Sequence, residues 1–160
     1  MKRIVLSIAA MVLTASAGDL LADPWQKSVD ASLTLTQNAY SDNWSGGESG
    51  SISWLFNSNG IFERQFTTIV NNKNTLKLFF GQTHSQNEET KHWSKPVKST
   101  DRIDLETVFR FTTGMFFDPF ASARIETQFI DQRDPANERV LNPVLFTESF
   151  GAAKVITKTP

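Results

Sequence analysis

Apolar and polar residues alternate with a period of two along most of this chain. The clearest run is 102–114, where Ile103, Leu105, Thr107, Phe109, Phe111 and Thr113 share one parity and Asp104, Glu106, Val108, Arg110 and Thr112 the other. Residues 119–130 repeat it, with Ala121, Ala123, Ile125, Thr127 and Phe129 set against Ser122, Arg124, Glu126 and Gln128. Successive side chains of an extended chain point to opposite faces, so each run predicts a strand with one apolar and one polar side. Four weaker runs follow the same rule at 28–38, 49–58, 75–85 and 144–156. In the last, Glu148 and Lys154 share a parity with Phe146 and Phe150. The stretch 61–71 either lengthens the second strand or forms another.

The connections are unequal. Asn43, Trp44, Gly46 and Gly47 mark a glycine turn, while 86–101 and 131–142 are long and polar, with Pro96 and Pro135 inside them. Met115-Phe116-Phe117-Asp118-Pro119 is instead a tight turn, as Asp-Pro signals. If the first strand runs outward from a periplasm, long loops fall outside and the tight turn inside, which is the habit of outer-membrane barrels.

The N-terminus adds an address. Met1-Lys2-Arg3 is basic and residues 4–17 are apolar or small apart from Ser7, Thr14 and Ser16. That is shorter than the about 20 apolar residues of a membrane helix and matches a secretory signal. Cleavage is expected after Ala17 or Ala22. The expected organisation is therefore a signal-peptide helix over 1–22 and one antiparallel β-barrel domain, incomplete at its C-terminus, over 23–160.

Composition removes several classes of function. A net charge of −1, from 16 Lys+Arg and 17 Asp+Glu, offers no basic face for nucleic acid. The absence of cysteine excludes a disulfide framework, a thiolate metal site and a lipoprotein anchor. Thirteen Phe and four Trp beside one Tyr form an unusual aromatic balance for so polar a chain. No apolar run after the N-terminus is long enough for a membrane helix, so entry into a bilayer has to use strands.

Alternation is shared by soluble barrels, whose apolar side points inward, and membrane barrels, whose apolar side meets lipid. The mid-strand mixture of Asp104, Glu106, Arg110, Arg124, Glu126 and Gln128 favours a wet lumen. Trp54, Phe56, Phe80, Phe109, Phe111, Phe116, Phe117, Phe120, Ile125 and Phe129 are then the candidates for lipid or interface contact. Other chemistry is weaker. His84, Glu88, Glu89 and His92 have metal-ligating types but lie in a polar loop with nothing to fix their geometry, so no metal is expected. His84-Ser85 and His92-Trp93-Ser94 bring hydrolase residue types together without a nucleophile elbow. Gly46-Gly47 opens a strand rather than a helix and is read as a hairpin turn, not a phosphate cradle.

Several short motifs occur in a fixed order: Asn43-Trp44-Ser45-Gly46-Gly47-Glu48, Ser51-Ile52-Ser53-Trp54, Lys73-Asn74-Thr75-Leu76, Phe80-Gly81-Gln82-Thr83, Ser99-Thr100-Asp101-Arg102-Ile103-Asp104 and Thr127-Gln128-Phe129. In that order they resemble a bacterial family known as domain of unknown function 3078. The resemblance spans most of 28–157 and implies an exported outer-membrane β-barrel; it brings no catalytic residues. It also implies a barrel that continues beyond this chain, because six strands fall short of the about eight of the smallest membrane barrels.

The expectation is an all-β antiparallel meander, an outer-membrane β-barrel or an incomplete part of one. It is non-enzymatic, without cofactor, and located in the outer membrane of a Gram-negative-type bacterium. Its expected partners are membrane lipid and the barrel-insertion machinery. The rivals are a soluble periplasmic β-barrel binding an apolar small ligand, and an outer-membrane hydrolase.

Overall fold

The computed structural model describes residues 12–13, 25–40, 49–133 and 138–154. Among them there is no helix, and the strands run in chain order: β1 (Val12–Leu13), β2 (Trp25–Asn38), β3 (Ser51–Gln65), β4 (Val70–Ser85), β5 (Val97–Phe111), β6 (Asp118–Thr127), β7 (Ile130–Asp131), β8 (Arg139–Val140) and β9 (Leu145–Ala153). Seven of them form one antiparallel sheet in the order β1-β2-β3-β4-β5-β6-β9, and β7 pairs with β8 in a small separate ribbon. The expected meander is thus present. Among the described residues it does not close into a ring: β9 lies at one edge, and at the other Val12 and Leu13 pair with Ser32 and Ala31 of β2. The remainder of the expected signal peptide and the turn residues Asn43, Trp44, Gly46 and Gly47 lie outside the described residues.

The six long strands correspond to the six alternating runs, and the ambiguous stretch 61–71 divides between two of them. Residues up to Gln65 extend β3, and β4 already begins at Val70. The turn between them is built by Thr67, whose hydroxyl accepts the Ile69 and Val70 amides at 3.3 and 3.1 Å. Alternation fades at Asn71–Asn74 because amide side chains occupy both faces there, yet the backbone stays paired with β3 and β5 throughout. The ladder has one irregularity, where Gly81 faces Thr100 but Gln82 faces Lys98, leaving Ser99 as the extra residue of a bulge. A Cβ on Gly81 would stand 2.8 Å from the Trp54 carbonyl oxygen, so this crowded point requires glycine.

Connections at the two ends of the sheet differ as expected. One end carries the four residues 66–69 and the six residues 112–117, the latter with Gly114 at φ 75°. The Thr112 amide donates to the Ile69 carbonyl at 2.7 Å and ties the two turns together. The other end carries the long connections 39–50, 86–96 and 128–144. The sheet thus has a turn end and a loop end.

Candidate functional site

Register decides what the faces of six separate strands become when joined. One row crosses the whole sheet: Val29 faces Gly60, Gly60 faces Leu76, Leu76 faces Leu105, Leu105 faces Ile125 and Ile125 faces Phe146. Neighbouring rows bring Leu33, Phe56 and Phe80 together, then Leu78 and Ile103. Partners in a row share a face, so the apolar parities predicted strand by strand all fall on one side. Among the described residues nothing covers that side. No hydrophobic residue is buried among the described residues; Leu33 is 57% exposed, Leu105 43% and Ile125 39%.

Aromatic rings concentrate toward the two ends of this apolar face. Near the loop end Trp54 packs on Phe80 with ring centres 5.6 Å apart, and Phe80 meets Phe129 edge-on at 5.8 Å. Trp93 joins them through His84, whose ring centre lies 6.3 Å away. At the turn end Trp25 meets Phe66 edge-on at 6.2 Å, with Phe109 and Phe111 on the same face. Phe116 and Phe117 pack edge-on at 5.9 Å in the adjacent turn, and the Lys154 ammonium sits 3.4 Å from the Phe116 ring centre. Of the expected aromatic set, Phe120 stands apart. Its parity places it opposite Arg110, on the charged face, with its ring against Gly151.

That charged face carries an ion-pair lattice on β5 and β6. Asp104 stands directly opposite Glu126, a like-charge pair that is unfavourable alone. Arg124 resolves it by a two-pronged bond to Asp104, Nε to Oδ1 at 2.8 Å and Nη2 to Oδ2 at 2.7 Å, while its Nη2 lies 3.3 Å from Glu126. Arg102 closes the quartet from the other diagonal, 3.1 Å from Asp104 and in contact with Glu126. Asp104 is left only 5% exposed beneath the two guanidinium groups. Glu106 faces Arg124 across the ladder, and Lys77 faces Asp104 from β4. Toward the turn end Arg110 holds Asp118 through Nη2 at 2.8 Å and Nε at 3.2 Å.

Five of the six expected lumen residues therefore share one face. Gln128 leaves the sheet: it donates to the Asn142 carbonyl and accepts from Lys98. The reason is Asp101. Its carboxylate accepts the Phe129 and Ile130 amides at 2.6 and 3.0 Å, so it ends the β5–β6 ladder and turns the chain into the loop. Inside that loop Asp131 accepts from the Arg133 guanidinium at 2.9 and 2.8 Å and from Asn142 at 2.6 Å. The Arg133 guanidinium holds the Asp131 carboxyl well below the usual carboxylate range, against an opposing effect of burial, and the Asn142 amide adds to the lowering.

The loop 86–96 continues the β4–β5 hairpin through a Gln86–Trp93 bridge, and Asn87 Oδ1 at its tip accepts the Glu89 and Thr90 amides. Among the described residues no three His, Cys, Asp or Glu side chains are grouped to hold a metal.

One feature escaped the sequence pattern. Arg64, Asn72 and Asn74 lie on the apolar face at the turn end, in register with Trp25, Phe109 and Phe62. Parity alone would have placed them there, had the alternation been continued through 61–74.

A family model described as protein of unknown function DUF3078 matches residues 35–132, from the end of β2 to the loop after β6. The chain belongs to this family. No curated protein and no solved structure matches the chain. The DUF3078 match covers the ion-pair quartet and most of the apolar face, while β9 lies outside it.

Proposed function

We propose that the sheet is part of the wall of an outer-membrane β-barrel, with its apolar face against lipid and its charged face toward a water-filled interior. The carrying observation is the apolar face itself, continuous across six strands and without a buried core among the described residues. Water does not leave such a surface bare on a monomer, whose apolar patches rarely exceed a few hundred Å². The aromatic spacing supports the same reading. Ten residues separate Trp54 from Arg64 along β3, which at a rise of about 3.3 Å and a tilt of about 40° is about 25 Å, the height of a barrel's apolar band. Rings at both limits, with mainly aliphatic side chains between them on β2, β4, β5 and β6, follow the interface preference of aromatics; on β9 Phe146 and Glu148 lie between the limits.

The charged face suits an interior because its ions are paired rather than free. Arg102, Asp104, Arg124 and Glu126 satisfy one another across two strands, which braces a wall and narrows any passage beside it. The role proposed is that of a non-enzymatic channel, scaffold or surface component. In lipid the edges β2 and β9 have to be paired.

Fractionation tests this directly. The expected result is recovery with outer membranes, extraction only by detergent, and heat-modifiable migration on a gel. Recovery in the soluble periplasm without detergent would overturn the reading in favour of a ligand-binding sheet protein.

A further inference from the structure

At the loop end the apolar face changes character. Register sets Leu35, Trp54 and Gln82 in one row across β2, β3 and β4, and Gln37, Ile52 and His84 in the next row toward the loops. Trp93 shares this face, because it pairs with Gln86, two residues beyond His84. Ile52, Trp54, Gln82, His84, Trp93 and Pro96 line a hollow of about 440 Å³, within the range of small-ligand sites.

The loop that brings Trp93 to the hollow is held in place. The Gln86 amide donates to the Gly50 carbonyl and the Ser94 amide to the Ser85 carbonyl, both at 2.8 Å. The Gln86 side chain donates to the Lys91 carbonyl at 2.6 Å and accepts the Gly50 amide at 3.3 Å. A Cβ on Gly50 would stand 3.4 Å from the rim of the Trp93 ring, so the indole rests close over the start of β3. Trp93 is nonetheless 46% exposed, with ring surface left for a ligand.

Among the described residues no Asp, Glu, Lys or Arg lines the hollow. Lys98, which faces Gln82 across the ladder, turns instead to Asp101 at 3.0 Å and Gln128 at 3.1 Å. The hollow thus lacks the cation that grips a phosphate and the carboxylate that balances an ammonium group. It has two indoles and, beside them, an amide and an imidazole that form hydrogen bonds. The negative face of an aromatic ring attracts weakly positive C–H groups. A sugar presents such C–H groups on its ring faces and hydroxyls for the amide and imidazole around its rim.

We propose that this hollow binds the uncharged saccharide headgroup of a membrane glycolipid, with the sugar against Trp54 and Trp93 and its hydroxyls on Gln82 and His84. The site rests on the lipid-facing reading above. Its depth argues for a sugar carried on lipid: Trp54 forms the inner wall and, with Phe80 and Phe129, marks the loop-end limit of the apolar band. Leu33, Phe56 and Phe80 form the next row inward, so a headgroup held in the hollow leaves its acyl chains along them.

The test reconstitutes the full chain into vesicles of equal digalactosyl diacylglycerol and phosphatidylcholine, extracts it into a sugar-free detergent, and counts retained lipids by native mass spectrometry. Flotation of the protein and each variant with pure phosphatidylcholine vesicles checks insertion separately. Retention is expected to favour the galactolipid by about fivefold, the worth of one net hydrogen bond. The ratio falls to near one in Trp93→Ala and in Gln82→Leu/His84→Phe, which keeps the bulk and removes the hydrogen bonds. It persists in Phe117→Ala, which removes an exposed ring at the turn end. A ratio near one in the unaltered chain, or one that the hollow variants leave unchanged or Phe117→Ala lowers equally, overturns the site while leaving insertion intact. A preference for phosphatidylcholine overturns it in favour of an aromatic site for the quaternary ammonium. Displacement of the galactolipid by millimolar galactose overturns the lipid source and leaves a site for free sugar. Failure of the unaltered chain to float overturns both readings.

Discussion

Leu105→Arg separates a lipid-facing surface from a water-facing one. Leu105 lies in the row that spans all six long strands, four residues from the Arg64 level and six from the Trp54 level when followed along β3 from its row partner Gly60. It is therefore near mid-depth in the proposed wall. Full burial of a leucine is worth about 1.5–3 kcal/mol, so the 43% of Leu105 left uncovered by protein corresponds to about 1 kcal/mol that lipid contact supplies. An arginine at the midplane of a barrel costs about 2–4 kcal/mol and near an interface about 0–1. The expected result, from urea titration of tryptophan fluorescence in phosphatidylcholine vesicles, is a loss of about 2–4 kcal/mol for Leu105→Arg. The same substitution at Phe111, at the turn end, should lose no more than about 1 kcal/mol. If the face looked into water, arginine at a half-exposed position would change stability by no more than about 0.5 kcal/mol. A Leu105→Arg effect of that size, or one equal to Phe111→Arg, refutes the orientation.

Three further outcomes follow from other parts of the molecule. Asp104→Asn should cost about 1–3 kcal/mol, since it removes the carboxylate that Arg102 and Arg124 share, and a double-mutant cycle with Arg124→Gln should show coupling rather than additivity. Gly81→Ala should cost about 1–3 kcal/mol in the same titration, because its Cβ would meet backbone at 2.8 Å; Gly60→Ala should cost less, its nearest neighbour being a Phe62 ring atom at 3.1 Å. The Asp131 carboxyl is lowered from its ordinary 3.8 when folded, so its contribution is complete above that value and is lost as pH falls below it. The protection factor at Leu141, whose amide donates to Phe129, should stay constant from pH 7 to about 5 and fall only in stronger acid, whereas Asp131→Asn should lower it already at neutral pH.

Much of this architecture was legible one strand at a time. The runs at 102–114 and 119–130 alternate cleanly because each strand has one side for charge and one for hydrocarbon; β6 nearly coincides with its run, while β5 begins five residues earlier, at Val97. Where polar side chains occupy both sides, as at Asn71–Asn74, the signal vanished although the strand did not. Gln128 was read into the charged face by parity. Asp101 removes it by capping the Phe129 and Ile130 amides, a contact between residues about thirty apart that no local pattern encodes.

Parity along an extended backbone follows from the pleat, so residue order alone shows which residues share a side within each strand, and which ends carry long loops. It could not determine which side of one strand joins which side of the next, because a shift of one residue in pairing exchanges the faces. The folded sheet is what brings all six apolar sides together, joins Arg124 to Asp104 on the diagonal rather than to Glu106 straight across, and rests Arg64 against Trp25 and Phe66. Those meetings depend on hydrogen-bond register between segments distant in the chain, where the backbone ladder sets the distance between side chains and their own chemistry then selects the pairs.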